Sequence, residues 1–454
     1  MDIVILGAGK FGKTICAHLC REGHNITVID SDAAVVDRIV EDYDVMGICG
    51  NGMSIEVLSE AGCARADIFI ASSASDEINM VSALFAKKLG ARHAVSRVRN
   101  PMYSKQTGFM REEMGISMLV NPEFDAAAEL SRMLKFPAAA KIEVFGRGRI
   151  ELCEVRITGE SSICNMSLRE IGKKMRYSAL ICAVQRGGEV TIPNGDFILR
   201  EGDRINLTAA HSELVNFMKE TGIIRPKIRS VMIVGGGMIG FYLAKILSDS
   251  GFRVKIIDSD RRVCDDISAK LPRCEVILAD GTNQEVLIEE GLMQTDAIVT
   301  LTGVDEENII VSLFAAANGV EKVITKVSND ALMPIAESIG LESIITPKEI
   351  AANIITTYVR AKQNARSAAN EGSIETLYKL AGARLEAIEF KAVSGSYLGV
   401  KIKELKIKDN ILLAALIKRN KTVIPNGDSI IEAGDRVLVV TTSTNLSDLS
   451  QIFR

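Results

Sequence analysis

The chain has 454 residues, enough for three or four domains of ordinary size. Hydrophobic residues make up 47% and charged residues 25%, which is typical of a globular protein and excludes a disordered or fibrous one. The net charge of −4 and the absence of Trp argue against nucleic acid as a partner. No apolar run approaches the roughly 20 residues that span a bilayer, no leader is expected before the first strand, and the odd number of nine cysteines indicates reduced thiols.

A dinucleotide-binding fingerprint fills residues 1–32: an apolar strand, a Gly-x-Gly-x-x-Gly turn, a helix, and a second strand that ends at Asp30. Gly7 permits the tight turn, Gly9 lets the backbone approach a pyrophosphate, and Gly12 lets the helix pack closely on the sheet. The phosphates are expected at the free N–H groups of the helix N-terminus. Asp30 can accept hydrogen bonds from a ribose and would repel a 2′-phosphate, so NAD-type or adenosine ligands are favoured over NADP. The alternative is that the glycines serve only the turn between strand and helix.

The same stretch also matches the phosphate loop of nucleotide hydrolases, Gly-x-x-x-x-Gly-Lys-Thr, through Lys13 and Thr14. This pattern predicts hydrolysis with Mg²⁺ rather than dinucleotide binding. A second copy of the fingerprint has Phe241 and Tyr242 at these places, and no downstream Asp at a strand end is suited to Mg²⁺. We therefore interpret the hydrolase match as accidental.

Alternating strands and helices continue beyond the fingerprint. Strands are expected at about 2–6, 25–30, 44–48, 67–71 and 93–98. This alternation predicts an α/β domain with a doubly wound, parallel sheet. Right-handed crossovers would bring Gly7, Asp30, Asn51 and Ser72 to one carboxyl edge, around a single crevice.

The whole unit is duplicated. Residues 229–260 repeat the fingerprint, and Gly235 and Asp258 each follow their counterparts by 228 residues. Residues 279–319 then repeat residues 50–90. The sequence therefore predicts two Rossmann-like domains.

Each copy runs into an amphipathic helix that starts with Pro, at residues 122–136 and 347–366. Apolar residues form one face of each helix: Phe124, Ala127, Leu130 and Leu134 in the first, and Ile350, Ile354, Ile355 and Val359 in the second. Such a face must be buried. The sequence does not decide whether the face packs against its own domain or against a partner domain.

A smaller unit is also repeated, at residues 154–207 and 386–439, with the turn phrase Pro-Asn-Gly-Asp in both copies. Its short alternating strands predict a small α+β domain of about 80 residues. The predicted domains are 1–137 (Rossmann-like), 138–224 (small), 225–366 (Rossmann-like) and 367–454 (small).

Two fingerprinted domains, each followed by this small domain, resemble the TrkA family, the tandem RCK regulatory subunits of Trk potassium uptake systems. The resemblance covers essentially the whole chain. It implies two RCK N domains and two RCK C domains, with NAD or NADH, or ATP or ADP, in the same pockets. It also implies a homotetrameric ring of eight RCK domains, in which the Pro-started helices join neighbouring domains. The ring would lie in the cytoplasm, peripheral on the inner face of the cell membrane, through an integral potassium-translocating subunit of the TrkH or TrkG kind.

The resemblance places one nucleotide pocket in each copy. The first comprises Gly7, Ala8, Gly9, Lys10, Phe11, Gly12, Asp30, Asn51, Gly52, Ser72 and Arg97. The second comprises Gly235, Gly236, Gly237, Met238, Ile239, Gly240, Asp258, Asp280, Gly281 and Lys326. Related subunits carry a basic residue facing the terminal phosphates where Lys10 stands, whereas Met238 takes that place in the second copy. We therefore expect the first pocket to accept more highly charged nucleotides than the second.

Catalytic and metal-binding residues are not expected. A dehydrogenase needs a proton donor or base beside the nicotinamide, and none of the four histidines lies in a recognisable catalytic phrase. Cys16 and Cys20 lie one helical turn apart, with His18 between them on another face, so a metal site there is disfavoured. The alternatives to a potassium-uptake regulator are an NAD-dependent oxidoreductase and an RCK regulator of a different ion transporter.

Overall fold

The computed structural model describes residues 1–104, 106–135, 141–146, 149–174, 179–223, 228–367, 373–380, 384–418, 421–443, 446 and 448–454. These residues contain four sheets, which alternate along the chain between six parallel strands and five antiparallel strands. The architecture is therefore two Rossmann-like domains, each followed by a small α+β domain, as predicted. The predicted junctions near residues 137 and 224 lie outside the described residues.

The first Rossmann-like domain has the strand order β3-β2-β1-β4-β5-β6. Its strands are β1 (Asp2–Leu6), β2 (Asn25–Asp30), β3 (Met46–Cys49), β4 (Ile68–Ala71), β5 (His93–Arg97) and β6 (Met118–Val120). Its helices are α1 (Lys10–Arg21), α2 (Ala33–Tyr43), α3 (Ile55–Glu60), α4 (Asp76–Leu89), α5 (Pro101–Ser104), α6 (Thr107–Glu112) and α7 (Pro122–Lys135). Because successive side chains of β1 point to opposite faces, Ile3 and Ile5 enter one core and Val4 and Leu6 enter another. Helices thus cover both faces of the sheet.

The first small domain is an antiparallel sheet with the order β10-β9-β11-β8-β7. Its strands are β7 (Lys141–Phe145), β8 (Ile150–Arg156), β9 (Leu180–Arg186), β10 (Glu189–Thr191) and β11 (Arg204–Ala209). Its helices are α8 (Leu168–Lys174) and α9 (His211–Thr221). The turn with the Pro-Asn-Gly-Asp phrase follows β10, as its composition predicts.

The second Rossmann-like domain repeats the first, with the order β14-β13-β12-β15-β16-β17. Its strands are β12 (Ser230–Val234), β13 (Arg253–Asp258), β14 (Glu275–Leu278), β15 (Ala297–Thr300), β16 (Lys322–Lys326) and β17 (Ile344–Ile345). Its helices are α10 (Met238–Asp249), α11 (Arg261–Lys270), α12 (Gln284–Glu289), α13 (Asp305–Ala317), α14 (Met333–Ser338) and α15 (Pro347–Ser367). The glycine-rich turn, the acidic strand end and the Pro-started helix recur at equivalent places.

The second small domain has the order β18-β19-β22-β20-β21. Its strands are β18 (Ser373–Leu380), β19 (Leu385–Lys391), β20 (Ile411–Lys418), β21 (Lys421–Val423) and β22 (Arg436–Thr441). The two small sheets share a core, in which Phe145, Ile150 and Leu152 meet Leu385 and Leu438. The halves of the chain are therefore joined at their small domains.

The Pro-started helices α7 and α15 exchange between the two Rossmann-like domains. Ala127, Leu130 and Leu134 of α7 are buried in the core of the second domain, against residues of α10 and its sheet. Ile355 and Val359 of α15 are buried in the core of the first domain. Most of each predicted face is therefore covered by the partner domain, which here is the other half of the same chain, whereas Ile350 packs against the core of its own domain.

Phe124 does not follow the predicted apolar face of α7. Its side chain is 44% exposed, and the edge of its ring meets Tyr242 of α10 at 5.4 Å between centroids. Phe124 lies in the first turn of α7 and touches the edge of the partner core, to which Tyr242 belongs.

Among the described helices, none is both long enough and apolar enough to span a bilayer.

Candidate nucleotide-binding site

The first glycine-rich turn has the geometry that a close backbone approach requires. Gly7 has φ +93°, and a Cβ there would lie 2.8 Å from the backbone nitrogen of Ser73. A Cβ on Gly12 would lie 1.8 Å from the carbonyl oxygen of Gly7, so this position holds α1 tightly against the turn. Gly9, in contrast, has no atom within 4 Å of its Cβ position. The open side of Gly9 is where a pyrophosphate would lie, at the N-terminus of α1.

The second turn repeats this geometry. Gly235 has φ +106°, and a Cβ on Gly240 would lie 2.2 Å from the carbonyl oxygen of Gly235. The Cβ position of Gly237 again meets no atom within 4 Å. Both copies therefore keep the same open backbone surface at a helix N-terminus.

The geometry of α1 is inconsistent with a hydrolase phosphate loop. The helix starts at Lys10, so Gly12 already lies in its first turn and only a short turn follows Gly7. Lys13 forms an ion pair with Asp42, and the hydroxyl of Thr14 donates to the carbonyl of Lys10 at 3.0 Å. Neither side chain is directed at a phosphate position in front of the helix.

The acidic residues at the ends of β2 and β13 hold the glycine-rich turns. Asp30 Oδ2 accepts from the backbone nitrogen of Ala8 at 2.7 Å, and Asp258 Oδ2 accepts from Gly236 at 2.6 Å. Both carboxylates are half-buried. Since a carboxylate has further lone pairs, each can also accept hydrogen bonds from a ribose lying across the turn.

The loops after β3 and β14 close over the central strands. A Cβ on Gly52 would lie 2.2 Å from Cδ1 of Leu6, and one on Gly281 would lie 2.5 Å from Cγ1 of Val234. Asn51 Oδ1 accepts from the nitrogen of Met53 at 3.0 Å. Asp280 accepts from the nitrogen and hydroxyl of Thr282, and these hydrogen bonds lower the pKa of its carboxyl. The exposed amide in one copy and carboxylate in the other differ in charge at the same edge.

Ser72 is a structural neighbour of the first pocket. Its side chain is buried, and its hydroxyl donates to the carbonyls of Leu6 at 2.8 Å and Gly7 at 3.0 Å. Ser72 therefore lies beneath the turn and binds β4 to it. Ala8 and Phe11 also face the first core, and Ile239 packs against the second core.

The basic residues after β5 and β16 have different environments. Arg97 Nη2 lies 2.8 Å from Glu123 Oε1, and its guanidinium lies 5.0 Å from the ring centre of Phe11. Lys326 donates instead to the carbonyl of Thr302. Burial lowers the pKa of Lys326, with a further lowering by the nearby charge of Lys10 and an opposing effect of Asp305.

Lys10 faces the second half of the chain. It lines a cavity of about 990 Å³ between the two halves, together with Asp305, Ser328 and Asn329 of the second Rossmann-like domain. Met238, its counterpart, is 39% exposed at the start of α10. The two fingerprints are therefore near-identical in backbone and unequal in charge.

One buried residue near each pocket was missing from the sequence prediction. Asn79 Oδ1 accepts from the nitrogen of Ser73 at 2.8 Å, and Asn308 accepts from Thr302 at the same distance. Both asparagines are fully buried, and they fasten the loop after β4 or β15 to the next helix. The repeated sequence could have revealed both asparagines, because the pattern Asp-Glu-x-Asn starts the corresponding helix in each copy.

Within the described ranges, no group of His, Cys, Asp and Glu has the arrangement of a metal site. The pocket residues supply backbone N–H groups, two strand-end carboxylates and basic side chains, which suit the binding of an adenine nucleotide. His18 is engaged with Glu349 of α15 at 2.9 Å, and His211 with Glu151 at 3.0 Å.

Comparison with protein families gives matches along most of the chain. The TrkA-N domain matches residues 3–122 and 231–347, and the TrkA-C domain matches residues 152–221 and 387–454. A Trk system potassium uptake protein TrkA homolog of Archaeoglobus fulgidus is 31% identical, with all of both chains covered. The Trk system potassium uptake protein TrkA of Haemophilus influenzae is 28% identical over all of this chain and 99% of its own.

Solved structures with a similar fold include the GsuK RCK domain, with a TM-score of 0.62, 18% identity, and coverage of 97% of this chain and 92% of that one. The GsuK channel bound to NAD has a TM-score of 0.64 and 19% identity, with coverage of 97% and 77%. At these identities the similarity establishes the RCK fold.

Proposed function

The chain belongs to the TrkA family of Trk system potassium uptake proteins, and we propose that it is a nucleotide-sensing regulatory subunit that gates a membrane potassium-translocating partner. Family membership decides against the oxidoreductase alternative, because the relatives are potassium uptake proteins. Each Rossmann-like domain would bind NAD or NADH, or ATP or ADP in the same pocket.

The observation that carries nucleotide binding is the pair of open glycine positions, Gly9 and Gly237. Each presents free backbone at a helix N-terminus, with an acidic strand end, Asp30 or Asp258, hydrogen-bonded to the same turn. This combination suits a pyrophosphate and a ribose held at adjacent places. The other residues assigned to the two pockets remain proposals, and Ser72 supports the first turn from beneath.

The exchanged helices α7 and α15 could transmit nucleotide binding into a conformational change of the chain. Each starts directly after the last strand of its own sheet, at the carboxyl edge, and buries its apolar face in the core of the other Rossmann-like domain. A ligand shifts a conformational equilibrium only by its differential affinity for the two states, typically a coupling of about 1–3 kcal/mol. Nucleotide binding would therefore change the relative placement of the two halves.

We further propose a homotetrameric ring of eight RCK domains, held on the inner face of the cell membrane by an integral potassium-translocating subunit of the TrkH or TrkG kind. A regulator of another ion transporter is the remaining alternative, and copurification of the membrane partner distinguishes the two. Native mass spectrometry of the purified chain tests the ring: a tetramer supports it, and a stable monomer contradicts it.

Fluorescence titration with NADH tests the nucleotide sites directly. The chain has no Trp, so the emission of bound NADH can be followed without Trp background. We expect saturable binding that is weakened by Gly9→Ala and Gly237→Ala, each in its own pocket. No saturable binding of NADH, NAD, ATP or ADP would contradict a nucleotide-sensing function.

A further inference from the structure

An ion cluster of Glu22, Arg360 and Glu386 links the first glycine-rich helix to the second small domain. Glu22 directly follows α1, Arg360 lies on α15, and Glu386 lies on β19. We propose that nucleotide binding at the first pocket is coupled to the second small domain through α1 and Arg360, and that the second pocket has no equivalent coupling to the first small domain. Arg360 is then a positioning residue, because it acts through α1 rather than on the nucleotide. The proposal rests on the proposed nucleotide-sensing function and names one route of regulation within the chain.

Helix α1 has the first pocket at one end and the ion cluster at the other. Its N-cap is Gly9, whose open side faces the proposed pyrophosphate position, and its C-cap is Glu22. The 12 residues of the helix span about 18 Å. Because a helix is a rigid element, a shift of its N-terminus toward a bound phosphate also moves Glu22.

Arg360 pairs with both carboxylates of the cluster. Its Nη2 lies 2.7 Å from Glu22 Oε1 and 3.1 Å from Glu386 Oε1, and its Nε and Nη1 donate to the second oxygens at 3.0 Å and 3.2 Å. None of the three side chains is more than 6% exposed. Because separation of a buried pair leaves a buried charge uncompensated, these contacts resist breaking. A displacement of Glu22 is therefore passed on to Glu386.

Glu386 connects the cluster to the core that the two small domains share. Its neighbours on β19, Leu385 and Ala387, are buried in that core. Strand β19 also pairs with β18 on one side and β22 on the other. Movement of β19 thus changes the packing between the two small domains.

A second contact ties α1 to α15. His18 Nε2 lies 2.9 Å from Glu349 Oε2, and the side chain of His18 is 6% exposed. His18 and Glu22 are four residues apart, which places them on the same side of the helix. We therefore expect α1 and α15 to move together.

The second Rossmann-like domain lacks the charges that would form the same cluster. Ser250 stands in the repeat where Glu22 stands in the first copy, and it carries no charge. Lys135 of α7 is the counterpart of Arg360, and its side chain is exposed. No buried ion pair can therefore join α10 to α7 at these positions.

The first small domain uses the remaining counterpart differently. Glu154 of β8 corresponds to Glu386 of β19 in the repeat. Its Oε1 lies 3.1 Å from Nη1 of Arg204, which belongs to the same small sheet. The connection from glycine-rich helix to small domain is thus present for the first pocket and absent for the second.

Hydrogen exchange in the full-length chain tests this route with the cluster intact. Gly237→Ala leaves the first pocket available, Gly9→Ala leaves the second, and NADH is added to saturate the unmodified pocket of each variant. With Gly237→Ala, we expect NADH to change the exchange rate of β19 about fivefold or more, the lower end of typical couplings. With Gly9→Ala, NADH should leave the exchange of β8 unchanged. An unresponsive β19 in the first variant, or an equal response of β8 in the second, would overturn the proposal.

Arg360→Lys tests the cluster itself. It keeps the positive charge but loses the planar fork that contacts both carboxylates. Because coupling is reciprocal, this change should alter NADH affinity about fivefold or more when added to Gly237→Ala and leave it unchanged when added to Gly9→Ala. Arg436→Lys is the matched control, because Arg436 pairs with Glu389 at 2.8 Å within the second small domain. It should leave the NADH affinity of both pockets unchanged.

The outcomes separate coupling from stability and from nucleotide binding. A first pocket whose NADH affinity ignores Arg360→Lys, or changes equally with Arg436→Lys, would assign the cluster to stability alone and overturn the proposal while nucleotide sensing stands. If Arg360→Lys does not fold, the exchange experiment decides, because it leaves the cluster unaltered. Absence of NADH binding from the unmodified chain would overturn both the coupling and the nucleotide-sensing function.

Discussion

At the scale of single residues, Gly9 and Gly12 of the first fingerprint differ in how much space surrounds them. Gly12 faces the backbone of Gly7 so closely that its Cβ position is 1.8 Å from a carbonyl oxygen, whereas Gly9 faces open space. Gly9 also has φ −63°, a value that Ala adopts without strain. Packing therefore requires Gly12, whereas the open side of Gly9 is available for the proposed contact with a nucleotide.

The two positions predict different failures on substitution by Ala. Gly12→Ala should lower the free energy of unfolding by about 1–3 kcal/mol or more, because α1 must move away from the turn. Gly9→Ala should leave stability nearly unchanged and weaken nucleotide binding, because its Cβ occupies the pyrophosphate position. Urea unfolding and NADH titration of both variants measure these effects. Equal loss of stability in the two would contradict the assigned roles.

Asp125 of α7 is a half-buried carboxyl with an unusual pKa. Burial raises its pKa to about 6, Arg132 opposes the shift, and Glu123 and Glu129 add to it. Because the folded chain holds this proton more tightly than the unfolded chain, ionisation of Asp125 costs stability above about pH 6. That cost disappears as the pH falls from about 6 toward the ordinary Asp value.

Asp125→Asn should therefore raise the free energy of unfolding at pH 8 by about 1–3 kcal/mol, since each pKa unit corresponds to about 1.4 kcal/mol. The gain should shrink at pH 5, where the folded wild-type side chain is mostly protonated. Denaturant unfolding at the two pH values measures the difference. Asp265→Asn, at an exposed position of α11, is the control and should show no such pH dependence. A gain that is equal at both pH values would show that titration of Asp125 is not its cause.

At the scale of secondary-structure elements, the main feature is the exchange of α7 and α15 between the two Rossmann-like domains. The amphipathic faces of α7 and α15 were predictable from the spacing of Leu130, Leu134, Ile355 and Val359, because a helix presents every third or fourth residue on one side. Which core receives each face was not predictable, since an apolar stripe fits any apolar groove of similar width. The strand ends and glycine turns were predictable because their residue types follow from backbone geometry alone.

Because the two helices are exchanged, shortening a buried side chain of either helix should leave a cavity in the core of the other Rossmann-like domain and destabilise that domain. Leu130→Ala should destabilise by about 2–5 kcal/mol and increase hydrogen exchange in β12 and β13 of the second domain. Ile355→Ala should have a comparable effect on β1 and β2 of the first domain. Lys135→Ala, at an exposed position of α7, is the control. If Leu130→Ala increases exchange only in the first domain, the exchanged packing is wrong.

A buried ion cluster holds the C-terminal half of α15 in place. Arg360 is 3% exposed and pairs with Glu22, after α1, at 2.7 Å and with Glu386 of β19 at 3.1 Å. The two carboxylates raise the pKa of the guanidinium against the effect of burial. This cluster joins the first Rossmann-like domain, α15 and the second small domain.

Removal of Arg360 should deprive two buried carboxylates of the guanidinium that pairs with both of them. Arg360→Met is expected to cost about 3–5 kcal/mol in thermal or denaturant unfolding. Adding Glu22→Gln and Glu386→Gln to this variant should recover most of the loss, because the uncompensated charges are then gone. A triple variant no more stable than Arg360→Met would show that packing of the long Arg side chain, not charge, is the stabilising contribution.

At the scale of the whole molecule, the chain is two similar halves held together by exchanged helices and by the shared core of the small domains. The duplication was visible in sequence, so the four-domain order could be predicted. The cavity between the halves could not, because Lys10, Asp305 and Lys348 meet there through tertiary packing of segments far apart in the chain.

Potassium flux through the membrane partner, reconstituted in vesicles with the full-length chain, tests nucleotide control most directly. We expect flux to change when NADH or ATP is added and to stop responding when Gly9→Ala and Gly237→Ala are combined, with the chain still bound to its partner. Flux that responds equally in the wild type and the double variant, or that never responds to nucleotide, would contradict a nucleotide-sensing regulator of potassium uptake.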